Sequence, residues 1–146
     1  MKKLLISTLL FIAISIMAIA QSSNPWKLVH EKDFSVTGER STIPSHYQTV
    51  KLGLTTLKNT LASAPAESFD GKKSDITLTL PMPNGRFESF YISESSVMDS
   101  KLAKQFPEIK SYLGTGVQNP STYLRFDLTP QGFHAVVLGA EGNTVY

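Results

Sequence analysis

Cysteine is absent from all 146 residues. No disulfide frame can form, no thiolate can hold zinc, no thiol can act as a nucleophile and no N-terminal cysteine can carry a lipid. Histidine is scarce. The three present are His30, His46 and His134. No two stand four apart, so the paired-histidine helix turn of zinc peptidases is missing. No serine lies in a Gly-x-Ser-x-Gly elbow. Gly114-Thr115-Gly116 reads as a strand end, without the following helix a phosphate loop requires. Beyond residue 20, no apolar run approaches the roughly 20 residues that span a bilayer.

What is present begins with Lys2 and Lys3, followed by a nearly unbroken apolar run from Leu4 to Ala20. The run closes on Ala18-Ile19-Ala20, ahead of Gln21. A charged start, an apolar middle and small residues at Ala18 and Ala20 read as a secretory signal peptide over 1–20. The sequence therefore predicts export by the Sec route and no stable membrane span once the signal is removed. The full chain has 14 basic and 12 acidic residues; without Lys2 and Lys3 the balance is 12 to 12. A neutral chain without basic clusters excludes nucleic acid as an expected partner. The remaining 126 residues (146 less 20) suit one domain with a real core.

Hydrophobic spacing sets the expected order of elements. Residues 21–27 read as an extended leader, with Trp26 as an anchor onto the body. One or two short strands are expected over 28–46, and another over Tyr47–Leu52. Leu54, Leu57 and Leu61 mark a helical face, capped by Thr55 or Thr56 and stopped by Pro65. Residues 65–74 read as a flexible loop. Strands follow around Ile76–Leu80, Phe87–Ile92, Ile109–Leu113, Tyr123–Leu128 and Phe133–Leu138. A second helix is expected over Val97–Phe106, capped by Asp99 or Ser100, with Leu102 and Phe106 facing inward. The expected fold is α+β: a mostly antiparallel sheet of about six or seven strands with two short helices on one face, over 28–146. Thr144–Tyr146 opens a strand and stops, which reads as a domain cut at its C-terminus, leaving that strand without a partner.

Turn chemistry sets the register of two hairpins. A three-residue Pro83-Asn84-Gly85 loop puts Leu78 opposite Phe90 and Ile76 opposite Ile92, keeping apolar partners on one face. It also suits the fixed φ of Pro83 and places Gly85 in the left-handed position. The same reasoning applied to Pro130-Gln131-Gly132 gives another three-residue loop. It puts Asp127 opposite Ala135 and His134 opposite Leu128, which separates Asp127 from His134 and argues against a catalytic dyad. Arg125 and Asp127 share one strand face, as a solvated ion pair or as a contact with a covering domain.

The order of several stretches carries a resemblance. Leu78-Thr79-Leu80-Pro81-Met82-Pro83-Asn84-Gly85-Arg86-Phe87 leads to Glu94-Ser95-Ser96-Val97-Met98. Then come Phe106-Pro107-Glu108-Ile109-Lys110-Ser111-Tyr112 and Arg125-Phe126-Asp127-Leu128-Thr129-Pro130-Gln131-Gly132-Phe133-His134-Ala135. With Asn24-Pro25-Trp26 after the signal, this resembles the pro-region of bacterial secreted zinc metalloproteases of the reprolysin-like (metzincin) type. The resemblance covers essentially all of the chain after the signal. It implies a following catalytic domain with a His-Glu-x-x-His-x-x-Gly-x-x-His zinc helix and, in many such proteins, a C-terminal signal for type IX secretion. None of that helix is present, so no zinc ligand or catalytic residue maps onto this chain. Zinc is implied only for the catalytic domain, which would be the partner of this region in cis. Arg125, Asp127 and His134 are the candidate contacts with it. The alternative is a stand-alone secreted β-rich binding or adhesion module; a small hydrolase using Asp127 and His134 is a third reading.

Overall fold

A computed structural model describes residues 24–33, 44–70, 72–139 and 142–146. Ala18, Ala20 and Gln21, and with them the signal-peptide reading, lie outside the described residues. So does most of the stretch 28–46, where one or two short strands are expected.

Eight strands, two short α-helices and one 3-10 turn (Glu31–Asp33) make up the described fold. A small sheet pairs β1 (Trp26–Leu28) with β2 (Val50–Leu52). The main sheet runs in sequence order through β3 (Thr77–Pro81), β4 (Phe87–Glu94), β5 (Lys110–Gly116), β6 (Tyr123–Thr129), β7 (Gly132–Gly139) and β8 (Gly142–Val145). Every neighbouring pair is antiparallel. The fold is thus mostly antiparallel β with few helices.

Alternation along the strands assigns the two faces. Leu78, Leu80, Phe90, Ile92, Tyr112, Leu124, Phe126, Leu128, Ala135 and Val137 point inward and are buried. Helix α1 (Leu54–Leu61) adds Leu57 and Leu61 to the same cluster, and Trp26 joins it from β1. The second helix, α2 (Ser100–Gln105), buries no residue, and Leu102 and Phe106 are exposed, contrary to the inward packing expected of them. The two-helix layer therefore reduces to one helix: with only six residues, α2 presents too little apolar surface to compete for the core. Asp99 caps α2 as expected, accepting from the Lys101 amide at 2.9 Å. No threonine caps α1; Gly53 takes that position without a side-chain bond, and Thr60 Oγ1 donates to the Thr56 carbonyl.

The sheet curls until its two ends approach. Tyr146, just past β8, donates from its hydroxyl to the Pro81 carbonyl of β3 at 2.6 Å. Its backbone amide donates to Ala135 at 2.9 Å. The terminal strand is therefore paired, against the expectation from sequence: Gly142 to Val145 lie along β7 and Tyr146 bonds Ala135. Loop 65–74 is also more tied down than expected. Glu67 donates its amide to Glu94, Ala66 bridges to Glu94, and Asp70 accepts from Ser68 and from the Lys72 amide. The Ser68 hydroxyl is the main reason the Asp70 carboxyl is held below its usual range.

The β3–β4 hairpin has the register expected of the Pro83-Asn84-Gly85 loop. Leu78 faces Phe90, and Gly85 sits at φ +84. The β6–β7 hairpin does not. Its loop is the two residues Pro130 and Gln131, with Thr129 opposite Gly132 and Asp127 opposite His134. The premise that Pro130 cannot take a positive φ holds, but the turn needs none inside the loop. Gly132, as the first residue of β7, carries φ +140 instead. Thr129 Oγ1 braces the turn by accepting from the Gln131 amide at 3.1 Å.

Two phenols, the buried Tyr112 and the partly buried Tyr146, connect this architecture to pH. Burial, then the charge of Glu94, pushes Tyr112 up to about 12. Burial, then Glu88, pushes Tyr146 up further. An unfolded tyrosine titrates near ~10, so the fold favours the neutral phenols. That stabilisation is complete below about pH 10 and is lost as pH rises through the folded values. Thermal melts are expected to hold steady at neutral pH and fall above about pH 10. Tyr146→Phe should cost about 1–2 kcal/mol at pH 7, since the Pro81 carbonyl loses its donor, and should flatten the alkaline decline. A melting temperature unchanged up to pH 12 in the parent chain would contradict this assignment.

Candidate partner-contact surface

The outward face of the main sheet is assembled from residues that alternate with the core. Across β6, β7 and β8 the register places Tyr123 beside Leu138 and Asn143, and Arg125 beside Val136 and Val145. Asp127 pairs with His134 and, on its other side, with Ser111. The structure therefore brings all three sequence-predicted contact residues together. Around them lies a cleft of about 420 Å³, with Val97, Val136 and Val145 among its apolar walls.

His134 Nδ1 lies 3.0 Å from Asp127 Oδ1, with both side chains about half exposed. This overturns the expected separation of the two residues, and the cause is the shorter loop described above. The pair still does not form a catalytic triad. The row Ser111–Asp127–His134 puts the carboxylate in the middle, where a triad places the imidazole. An exposed pair of this kind is worth at most about 1 kcal/mol. A double-mutant cycle with Asp127→Asn and His134→Gln is expected to give a coupling below that value. A coupling of several kcal/mol would point to a buried structural role.

Arg125 is held differently. Its Nη1 donates to Ser95 Oγ at 3.1 Å, and Ser95 Oγ donates to Glu67 Oε2 at 2.5 Å. Ser95 is buried, so loop 65–74, the end of β4 and the centre of β6 are fastened through one hydroxyl. Sequence reading missed Ser95 and Glu67. Ser95 lies 30 residues before Arg125 and Glu67 a further 28 before Ser95, and no local pattern links them. It also missed the apolar part of this face. Tyr123, Leu138, Val97 and Val145 are all exposed, the last two by 72% and 75%.

The turn residues are structural. Pro83, Asn84 and Gly85 shape one hairpin, while Pro130 and Gly132 shape the other, and none of them lines the cleft beside Asp127. Among the described residues no group of three His, Cys, Asp or Glu side chains could hold a metal ion. No helix among them is long and apolar enough to cross a membrane. Compared with known proteins, the chain matches no protein-family model, no curated protein and no solved structure.

Proposed function

We propose that this chain is the exported N-terminal part of a secreted zinc metalloprotease precursor. In this reading residues 1–20 are a cleaved Sec signal and the α+β body is a pro-region that aids folding and covers the catalytic cleft until it is removed. Zinc belongs to the catalytic domain. The route is secretion through the periplasm, with type IX export as the onward step. The chain itself is not an enzyme.

The observation that supports this reading most is the outward sheet face. Arg125, Asp127 and His134 lie half in water beside exposed Val136, Val145, Tyr123 and Leu138. A polar cluster set in an apolar band is the composition of a contact surface. The same band would also serve a stand-alone binding module, the second reading.

The test is peptidase activity of the whole precursor. Before removal of residues 21–146, hydrolysis of a fluorogenic peptide is expected to be at least about tenfold slower than after removal, roughly 1.4 kcal/mol of apparent masking. Equal rates before and after would remove the latency role.

A further inference from the structure

The two edges of the curled sheet differ in one respect that bears on how a partner binds. In an antiparallel pair, residues alternate between bonding their neighbour and facing away from it. Tyr146 and Ala135 exchange both backbone bonds. By the register, Thr144 with Val137 and Gly142 with Gly139 do the same. Asn143 and Val145 must therefore aim their amides and carbonyls at the free side of β8, where no described residue pairs with them. At the opposite edge, Met82 bonds Arg86 and Ile76 bonds Ile92, so Thr77, Thr79 and Pro81 face out. Pro81 has no amide to offer, and its carbonyl is already taken by Tyr146. The β3 edge is blunted at that end. The β8 edge carries no proline, lysine or other charge, the usual devices against strand addition.

A cleft of about 590 Å³ runs along the free side of β8. Its far wall includes Val50, Pro81, Met82 and Pro83, and its near wall Asn143 and Val145. No Asp, Glu, Lys or Arg lines it; His46, Tyr47 and Gln48 supply polar groups on its far side. A charged side chain entering there would lose water without gaining a counter-ion, whereas an apolar one would bury surface.

We propose that β8 is the docking edge of this chain, and that its occupant is an extended, uncharged strand of the catalytic domain. That strand bonds the outward amides and carbonyls of Asn143 and Val145 and sets apolar side chains into the Val50–Pro83 cleft. This rests on the pro-region reading and adds to it the element and the chemistry of the contact.

Val145→Pro isolates the claim. It removes an amide that faces away from β7, so the β7–β8 ladder is kept, and edge positions tolerate proline. Thr77→Pro makes the same change on the β3 edge, where the Thr77 amide also faces out. In the whole precursor, Val145→Pro is expected to raise activity before processing by about tenfold, the equivalent of losing one good contact. Thr77→Pro should stay within about threefold of the parent. An unprocessed Val145→Pro precursor as silent as the parent overturns strand docking while leaving the pro-region reading standing. A parent precursor that is fully active before processing overturns both.

Amide hydrogen exchange gives a second measurement that needs no variant to fold. The Asn143 and Val145 amides should exchange at least about a hundredfold more slowly in the precursor than in the released chain. Equal exchange in the two overturns the proposal. So does a dimer of the released chain, seen by light scattering and dissolved by Val145→Pro while latency is unchanged, because the occupant is then a second copy.

Discussion

Replacing Trp26 by alanine is expected to lower the unfolding free energy by about 3–5 kcal/mol, the usual cost of emptying a buried aromatic site. Trp26 is 8% exposed although it sits in a three-residue strand near the start of the described chain. Its ring meets Phe133 edge-on at 5.2 Å and lies 6.3 Å from Tyr146. The indole thus plugs the interior beside the tyrosine that joins the two sheet ends. Its Nε1 has no hydrogen-bond partner among the described residues, so the loss would be one of packing rather than bonding. Trp26→Phe should consequently retain most of the stability, because it shortens the ring while removing a buried unpaired donor. Urea unfolding of the three proteins checks this. A loss below about 1 kcal/mol for Trp26→Ala would mean that β1 and β2 are only loosely attached to the body.

Gly116→Ala is expected to cost about 3 kcal/mol, at the upper end of overpacking. The backbone of Gly116 is not in the left-handed region, so the constraint is space alone. A methyl group there would run into the carbonyl of Asn119, well inside contact distance. That carbonyl cannot simply retreat. It accepts from the Thr122 amide at 3.0 Å, and the Thr122 carbonyl accepts in turn from Gly116 at 2.9 Å. The β5–β6 turn is closed by this ring of bonds, and the methyl group must open it. By contrast Gly132→Ala meets no atom within 4 Å but must hold φ +140, a strain of the order of 1–2 kcal/mol. Thermal melts of the two variants should therefore rank Gly116→Ala as the more damaging. The reverse order would show that the turn at Asn119 yields easily.

Much of the sheet was legible because its strands are half-buried. Leu124, Phe126 and Leu128 alternate with Tyr123, Arg125 and Asp127, and that alternation is the burial found. Leu78 and Leu80 behave likewise in β3. Three features were not legible, each for a physical reason. Gly114-Thr115-Gly116 reads as a strand end, and β5 does end at Gly116, but it takes in Gly114 as a buried, paired position. A side chain at Gly114 would press on Phe90 and Leu124 at 3.2 Å each, so glycine there lets neighbouring strands close up inside the curl. The β6–β7 register was misjudged because Gly132 spends its positive φ inside the strand and not in the loop. The inward packing expected of α2 failed because Leu102 and Phe106 have a helical spacing but no surface waiting to receive them. Of the contact surface, the polar trio Arg125, Asp127 and His134 was visible as strand-face residues. The network through Ser95 and Glu67 and the free edge of β8 depend on tertiary pairing, which no local pattern encodes.

As proposed above, this fold serves a protease that follows it in the same precursor. Reading the coding sequence past the codon for Tyr146 tests that most directly. The expected result is an open frame that reaches a His-Glu-x-x-His-x-x-Gly-x-x-His segment, whose two leading histidines lie on one helix turn around zinc. A stop codon directly after Tyr146 would contradict it, and the outward face of β6–β8 would then belong to a small exported binding protein.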